Sequence, residues 1–151
     1  MARALAQIGD AWSLLILREA FYGRSRFSEF VERTGAQRTV VSARLKKLVD
    51  NGLLLSSPYS DHRPRHRYTV TEKGLALAPV VVTLMAWGDA WTAGPEGPPI
   101  TLTHEPCGHV LGAELVCGAC DERLETHTVT PGLGSGYPDH VPSPLEAPHA
   151  R

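Results

Sequence analysis

The chain has 151 residues, of which 42% are hydrophobic, 7% aromatic and 21% charged, enough for one domain with a core and a small appendage, and too apolar for a wholly disordered protein. The net charge of −1 conceals a division: residues 1–74 hold 13 Lys/Arg against 7 Asp/Glu, whereas residues 75–151 hold 2 against 9. Cations are therefore gathered where a polyanion could be gripped, although a charge imbalance without a fold to organise it is most often a solvated face.

No internal repeat is visible. Met1-Ala2-Arg3 opens without a signal-peptide hydrophobic stretch, so secretion is not expected. Residues 2–8 (ARALAQI) predict a short helix closed by Gly9. Asp10 is placed to cap a second helix through AWSLLILREAFY, its carboxylate taking N–H groups of the first turn, with Leu14, Leu15, Leu17 and Phe21 as the core stripe. Gly23 ends it. Phe27 and Phe30 mark a third short helix, SEFVER, stopped by Thr34-Gly35. A fourth runs from Arg38 to Asp50, with Val41, Leu45, Leu48 and Val49 on one face and Asn51-Gly52 as a left-handed stop.

The pattern then changes. Leu53–Ser57 reads as an apolar strand and Arg67–Val70 as an alternating one, joined by the polar, basic PYSDHRPRH into a hairpin with a long tip. Thr71 should cap a further helical stretch, TEKGLALAPVVVTLMAWGDAW, which Pro79 either kinks or restarts as a first-turn residue. Within it the longest nearly unbroken apolar run, Leu75 to Trp87, has 13 residues, too few to span a bilayer. Residues 93–99 are a linker, and residues 126–151, with five prolines, are expected to be a disordered tail. The fold class is thus mainly α with a small β-hairpin: a winged helix-turn-helix over residues 1–92, followed at 100–125 by a zinc-ribbon-like segment.

A helix of this width fits the major groove, its N-terminal side chains nearest the base edges. The fourth helix buries Val41, Leu45 and Leu48, which assigns Arg38, Thr39 and Ser42 as base or near-base contacts. Arg44, Lys46 and Lys47 are left for phosphates, which carry affinity but no sequence information. In the wing, His62, Arg63, Arg65 and His66 suit a flanking minor groove or the backbone. The plainer alternative for any one of them is a solvated charge; the agreement of charge, helix order and hairpin favours nucleic acid.

IGDAWSLLILREAFYGRSRFSEF, then TVVSARLKKLVDNGLL, RPRHRYTVTEKGLAL and LMAWGDAW, resembles the HxlR-type family of bacterial transcription regulators over about residues 3–92. The resemblance implies a winged-helix domain, a homodimer, and an operator with inverted or direct half-sites near a promoter. It also implies a dimer interface from the N-terminal helix and the helix after the wing. Here that means Ala4, Leu5 and Ile8 with Val80, Val81, Leu84, Trp87, Gly88 and Trp91. An intramolecular core is the alternative for these, and suits Trp12 and Leu15 better than Trp87 and Trp91. Several thiol-sensing members carry a cysteine just before the first helix. None occurs in residues 1–92, so redox sensing by that route is not expected.

The three cysteines all fall within Cys107–Cys120, which makes no disulfide framework and suits a reducing, cytoplasmic setting. Cys117-Gly-Ala-Cys120 has the spacing that lets two thiolates chelate one ion, and His104-x-x-Cys107 repeats it with an imidazole first. Together they read H-x2-C-x9-C-x2-C, four ligands for a closed structural zinc site, with His109 as the alternative to His104. A chance cluster of reduced cysteines is the competing reading. Catalytic readings fail: HEPCGH spaces its histidines wrongly for HExxH, and PCGH lacks the second cysteine of a zinc deaminase. No catalytic residues are assigned, and the chain is not expected to be an enzyme.

The expected function is sequence-specific transcriptional regulation by a homodimer on double-stranded DNA, away from membranes and biased by an effector of unidentified chemistry. Two alternatives stand beside it. One is a protein-interaction module that uses the winged helix only as a scaffold. The other is a metal-responsive regulator using the zinc ligands as its sensor.

Overall fold

The computed structural model describes residues 1–59 and 65–137, and divides into a unit of residues 1–113 and a second beginning at residue 114. The element order in the first is α1 (Ala2–Ile8), α2 (Ala11–Phe21), α3 (Phe27–Thr34), α4 (Arg38–Asp50), β1 (Leu54–Pro58), β2 (His66–Val70), α5 (Glu72–Leu75), α6 (Ala78–Thr92), β3 (Thr103–His104) and β4 (His109–Val110). Each strand of the hairpin lies one residue from its expected start, because the antiparallel register Leu54↔Val70 through Pro58↔His66 extends pairing to His66 and Pro58.

Helices α2, α3 and α4 close over one core with β1. Ile16 and Leu17 of α2, Phe30 of α3, Val41, Leu45 and Leu48 of α4 and Leu54 of β1 are wholly buried, each side chain contributing roughly 1.5–3 kcal/mol of transfer free energy. Ile16 was absent from the expected stripe. LeuLeuIleLeu at 14–17 is an unbroken apolar run that gives no unique face, and the helix turns Ile16 inward while Leu14 and Phe21 only flank the core. Trp12 stays 36% exposed and Leu15 half-buried, so neither is the core residue expected.

The chain breaks fall where the backbone demands them. Asp10 caps α2, accepting from Ser13 N at 3.0 Å and Ser13 Oγ at 2.7 Å. Between α3 and α4, Gly35 takes φ +69°, a left-handed conformation that makes the tight turn of the helix-turn-helix. Thr71 caps α5 by accepting from Gly74 N at 3.0 Å. Of the two roles open to Pro79, the structure takes the second: the helix ends at Ala76–Leu77, and α6 starts afresh with Pro79 in its first turn.

The hairpin is tied to the helices twice. Phe30 meets Tyr68 edge-to-face at 6.2 Å between ring centroids. Arg26 bridges to Arg67, with Tyr68 N donating to Ser25 O at 2.7 Å, so the segment before α3 extends the hairpin by one short pairing. Glu29 holds that segment, accepting from Ser25 N at 3.0 Å and Arg26 N at 2.8 Å; these backbone bonds draw its carboxyl below the usual range.

Taken together, Glu72–Thr92 is a 21-residue helical stretch with a mean hydropathy of 1.4, long and apolar enough by length and composition to cross a membrane. The 13-residue run was judged too short; the helical stretch is longer because its flanking residues also coil. Part of its apolarity serves the domain. Leu77 packs on the core, Val81 is buried, and Tyr22 Oη donates to Met85 Sδ at 3.4 Å.

The second unit is small. Val116 bridges Arg123, Leu124 N donates to Leu115 O at 2.8 Å, and Thr126–Thr128 forms a single 3-10 turn inside the stretch expected to be a disordered tail.

Candidate nucleic-acid interface

Burial of Val41, Leu45 and Leu48 fixes the rotation of α4 and leaves Arg38, Thr39, Ser42 and Lys46 exposed along its other side. These positions recur at helical spacing, so they form one face. Gln37 provides no side-chain cap, which leaves N–H groups of the first turn of α4 without that partner, beside Arg38. The Arg38 guanidinium lies 4.9 Å over the Phe27 ring, a cation–π contact that holds it at the mouth of a cleft.

That cleft, of about 480 Å³, is lined by Arg26, Phe27, Ser28, Arg38, Tyr59, Arg65, His66 and Tyr68. Among the described residues its wall carries three arginines and no carboxylate. The Arg26 and Arg67 guanidinium groups stand 5.9 and 5.8 Å from the Tyr59 ring, so one aromatic plate orders two cations. A second, shallower groove of about 240 Å³ is lined by Ser42, Lys46, Val49, Ser56, His66 and Tyr68. His66 and Tyr68 border both, so α4 and the wing present one continuous surface. Arg26, Ser28, Tyr59 and Arg67 were missed in the sequence reading. For Arg26 the signal was the RSRF run before α3, which joins this surface through pairing with β2, a contact 41 residues away in the chain.

The cations expected on phosphates divide. Arg65 and His66 line the cleft, His66 with Nδ1 at 2.9 Å from Ser56 Oγ. Lys46 is exposed and pairs with Asp50 at 2.5 Å, a surface contact of small energetic weight. Arg44 and Lys47 are half-buried and turned inward, at 2.8 and 3.4 Å from the Asp10 carboxylate. Burial pushes the Asp10 carboxyl up, but the Ser13 hydroxyl and N–H and the Arg44 guanidinium outweigh it and hold the group below its ordinary range. His62 and Arg63 lie outside the described residues.

Of the expected dimer residues, Ile8 and Val81 are buried within the single chain. Val80, Leu84, Trp87 and Trp91 form an apolar stripe on α6, between 50% and 77% exposed. Leu5 and Ala4 on α1 are also exposed, and Gly88 is half-buried.

In the cysteine segment, His104 Nδ1 is 3.1 Å from Cys107 Sγ, while His109 Nδ1 turns to the Cys107 carbonyl at 3.1 Å. Backbone N–H groups of Ala119 and Cys120, and then the Cys120 thiol, draw the Cys117 thiol below its usual value. Among the described residues, no three His, Cys, Asp or Glu side chains are gathered round one point.

A helix-turn-helix whose second helix shows an arginine-bearing face beside a two-stranded wing defines a winged-helix DNA-binding protein. The profile of the HxlR-like helix-turn-helix family matches residues 7–95, and the chain belongs to that family. It is a DNA-binding transcriptional regulator, in a family of regulators rather than enzymes. It is 44% identical over 137 residues to the uncharacterized HTH-type transcriptional regulator Rv3095 of Mycobacterium tuberculosis, covering 91% of this chain and 87% of that one. Over 90 residues it is 31% identical to the HTH-type transcriptional regulator YodB of Bacillus subtilis, covering 59% of this chain and 80% of that one. Among solved structures, the candidate transcription factor PA1607 aligns with a TM-score of 0.77 at 31% identity, over 87% of this chain and 92% of that one.

Proposed function

We propose that the protein regulates transcription as a homodimer on promoter operator DNA, reading bases with Arg38, Thr39 and Ser42 from the major groove. The observation that carries this is the continuous surface on which Arg38 and Ser42 stand, beside a cleft lined by Arg26, Arg38 and Arg65. Arg26, Arg65 and Arg67 then bond to phosphates flanking the groove, with Lys46 at the far end of α4. Arg44 and Lys47 serve first as internal partners of Asp10 and only secondarily as a source of positive field.

The second copy covers the stripe of Val80, Leu84, Trp87 and Trp91, together with Leu5 and Ala4. Family membership and the exposure of two tryptophans on one helix face support this, since a regulator with two DNA-reading helices needs a two-fold partner to meet paired half-sites. Ile8 and Val81 support the interface from beneath rather than touching the partner.

Fluorescence anisotropy on duplex DNA from the gene's own upstream region, with a scrambled duplex and a salt series, tests the reading. Much tighter binding to the native duplex, weakening as salt rises, is expected. Equal, weak binding to both duplexes would overturn sequence-specific regulation through this surface.

A further inference from the structure

We propose that a cavity between α6 and the chain that follows it binds a small organic cation with an aromatic body, its ammonium held by Asp89. The cavity has a volume of about 220 Å³, and all its lining residues belong to the unit of residues 1–113. Val82, Met85, Ala86 and Asp89 form one wall, a row with the spacing of a single helix face. At about 3.6 residues per turn, that face points away from the stripe of Val80, Leu84, Trp87 and Trp91. The cavity and the proposed dimer contact therefore use opposite sides of α6. The other wall comes from a reversal of the chain. Gly97, at φ +79°, donates its N–H to Gly94 O at 3.0 Å, and the segment beyond it returns to α6. There Leu111 N donates to Leu102 O at 2.6 Å and Thr103 pairs with Val110, which sets Ile100, Leu102 and Leu111 along the space.

Charge selects the occupant first. Apart from Asp89 and Thr101, every side chain lining the cavity is apolar. Asp89 is half-buried, and among the described residues its carboxylate has no hydrogen-bond or ion-pair partner. Carboxylates drawn out of water are as a rule paired. The other buried or half-buried acids among the described residues obey that rule: Asp10 meets Arg44, Glu19 meets Arg18, and Glu29 takes the N–H groups of Ser25 and Arg26. Asp89 alone lacks a partner, and a cation from outside the chain supplies it.

Size and surface then narrow the class. A dry aliphatic cavity of ~150 Å³ takes benzene, so this one holds one ring with a short arm reaching Asp89. Met85 offers such a ring a polarizable thioether, and Tyr22 Oη fixes the sulfur by donating to it at 3.4 Å. Burial pushes the Tyr22 hydroxyl up; Arg18 opposes this, while the charges of Glu19 and Asp89 add to it, so the phenol stays a donor. Tyr22 closes α2, and three residues later Ser25 O accepts from Tyr68 N of the wing at 2.7 Å. A ligand against Met85 thus sits one side chain and a short run of backbone from the wing, a placement suited to an effector.

The test is isothermal titration of the full-length protein with phenethylamine, and with its neutral and anionic analogues phenethyl alcohol and hydrocinnamate. Saturable binding of the amine at about one per chain, with a Kd of about 1 mM or tighter, is expected. The alcohol should bind at least about tenfold more weakly, and the anion weaker still. Asp89→Asn should lower amine affinity at least about tenfold while changing that for the alcohol by less than about twofold. Ala86→Phe, which fills the space, should abolish binding of both. Thermal melts of each variant without ligand separate loss of the site from misfolding. No saturable binding of the amine below about 10 mM would overturn the proposal, leaving the cavity closed by its own chain or filled by a second copy. Equal affinity for amine and anion would also overturn it, as would an Asp89→Asn variant that binds the amine like the parent. Operator binding is measured separately and does not enter these outcomes.

Discussion

Asp10 joins two residues, Arg44 and Lys47, that the chain order keeps far from it. As the cap of α2 it was legible from the sequence, because a carboxylate one residue before an apolar helix has one ready use. Its pairing with Arg44 and Lys47 was not legible, since only the packing of α2 on α4 brings positions 34 and 37 residues distant to one carboxylate. Asp10→Ala should cost about 1–2 kcal/mol in urea unfolding at pH 7, through loss of the cap and the stranding of two half-buried cations. The pH dependence has a definite sign. The carboxyl is held below its ordinary range in the fold, so its stabilisation is present above about pH 4 and lost as pH falls through the lower folded value. Asp10→Asn should flatten that acid limb in a series of melts from pH 7 to pH 2. Arg38 and Arg26 separate in the same manner. Arg38→Ala should lower operator affinity by about 1–3 kcal/mol and relax the preference for one base, whereas Arg26→Ala should weaken native and scrambled duplexes alike. Competition anisotropy distinguishes the two.

The elements themselves were largely readable, for their ends carry strong chemical punctuation: Gly9, Asp10, Gly23, Gly35, Gly52 and Thr71 all stand at element boundaries. What the pattern could not give was orientation within a continuous apolar run, which is why Ile16 was overlooked, or a strand pairing made from outside the hairpin, which is why Arg26 was. The junction between wing and α5 is tightly packed. A Cβ on Gly74 would come within 2.3 Å of the Leu53 carbonyl oxygen and 2.7 Å of Val70 Cγ1. The first is rigid backbone, so Gly74→Ala must push β1 away from α5. A loss of about 1–3 kcal/mol in thermal or urea melts is expected, with DNA affinity falling more than stability alone would require if the wing shifts with it.

At the scale of the whole molecule, the basic half of the sequence builds α1 to α4 and the wing, where the proposed DNA-binding surface lies, and the acidic half begins just before α6. In the proposed homodimer the second copy covers the apolar stripe on α6. Trp87→Glu should convert a dimer to a monomer by light scattering after size exclusion, and reduce affinity for a two-half-site operator by far more than for a single half-site. A dimer that survives this change would place the two-fold axis elsewhere.

The Asp10 carboxylate also bears on the ions that DNA sheds when the protein binds. Phosphates release their condensed counterions in proportion to the cations that replace them, and the slope of log affinity against log salt counts those replacements at roughly 0.9 each. Arg44 and Lys47 arrive already neutralised from within. The slope should therefore reflect only the guanidinium and ammonium groups left on the outer face and the wing. Asp10→Asn, by releasing the two held cations, should steepen it by as much as ~2, giving a mutant that grips DNA more tightly at low salt and discriminates less between sequences. In this view an acidic residue in the cap of a helix limits non-specific adhesion by keeping part of the domain's positive charge out of circulation.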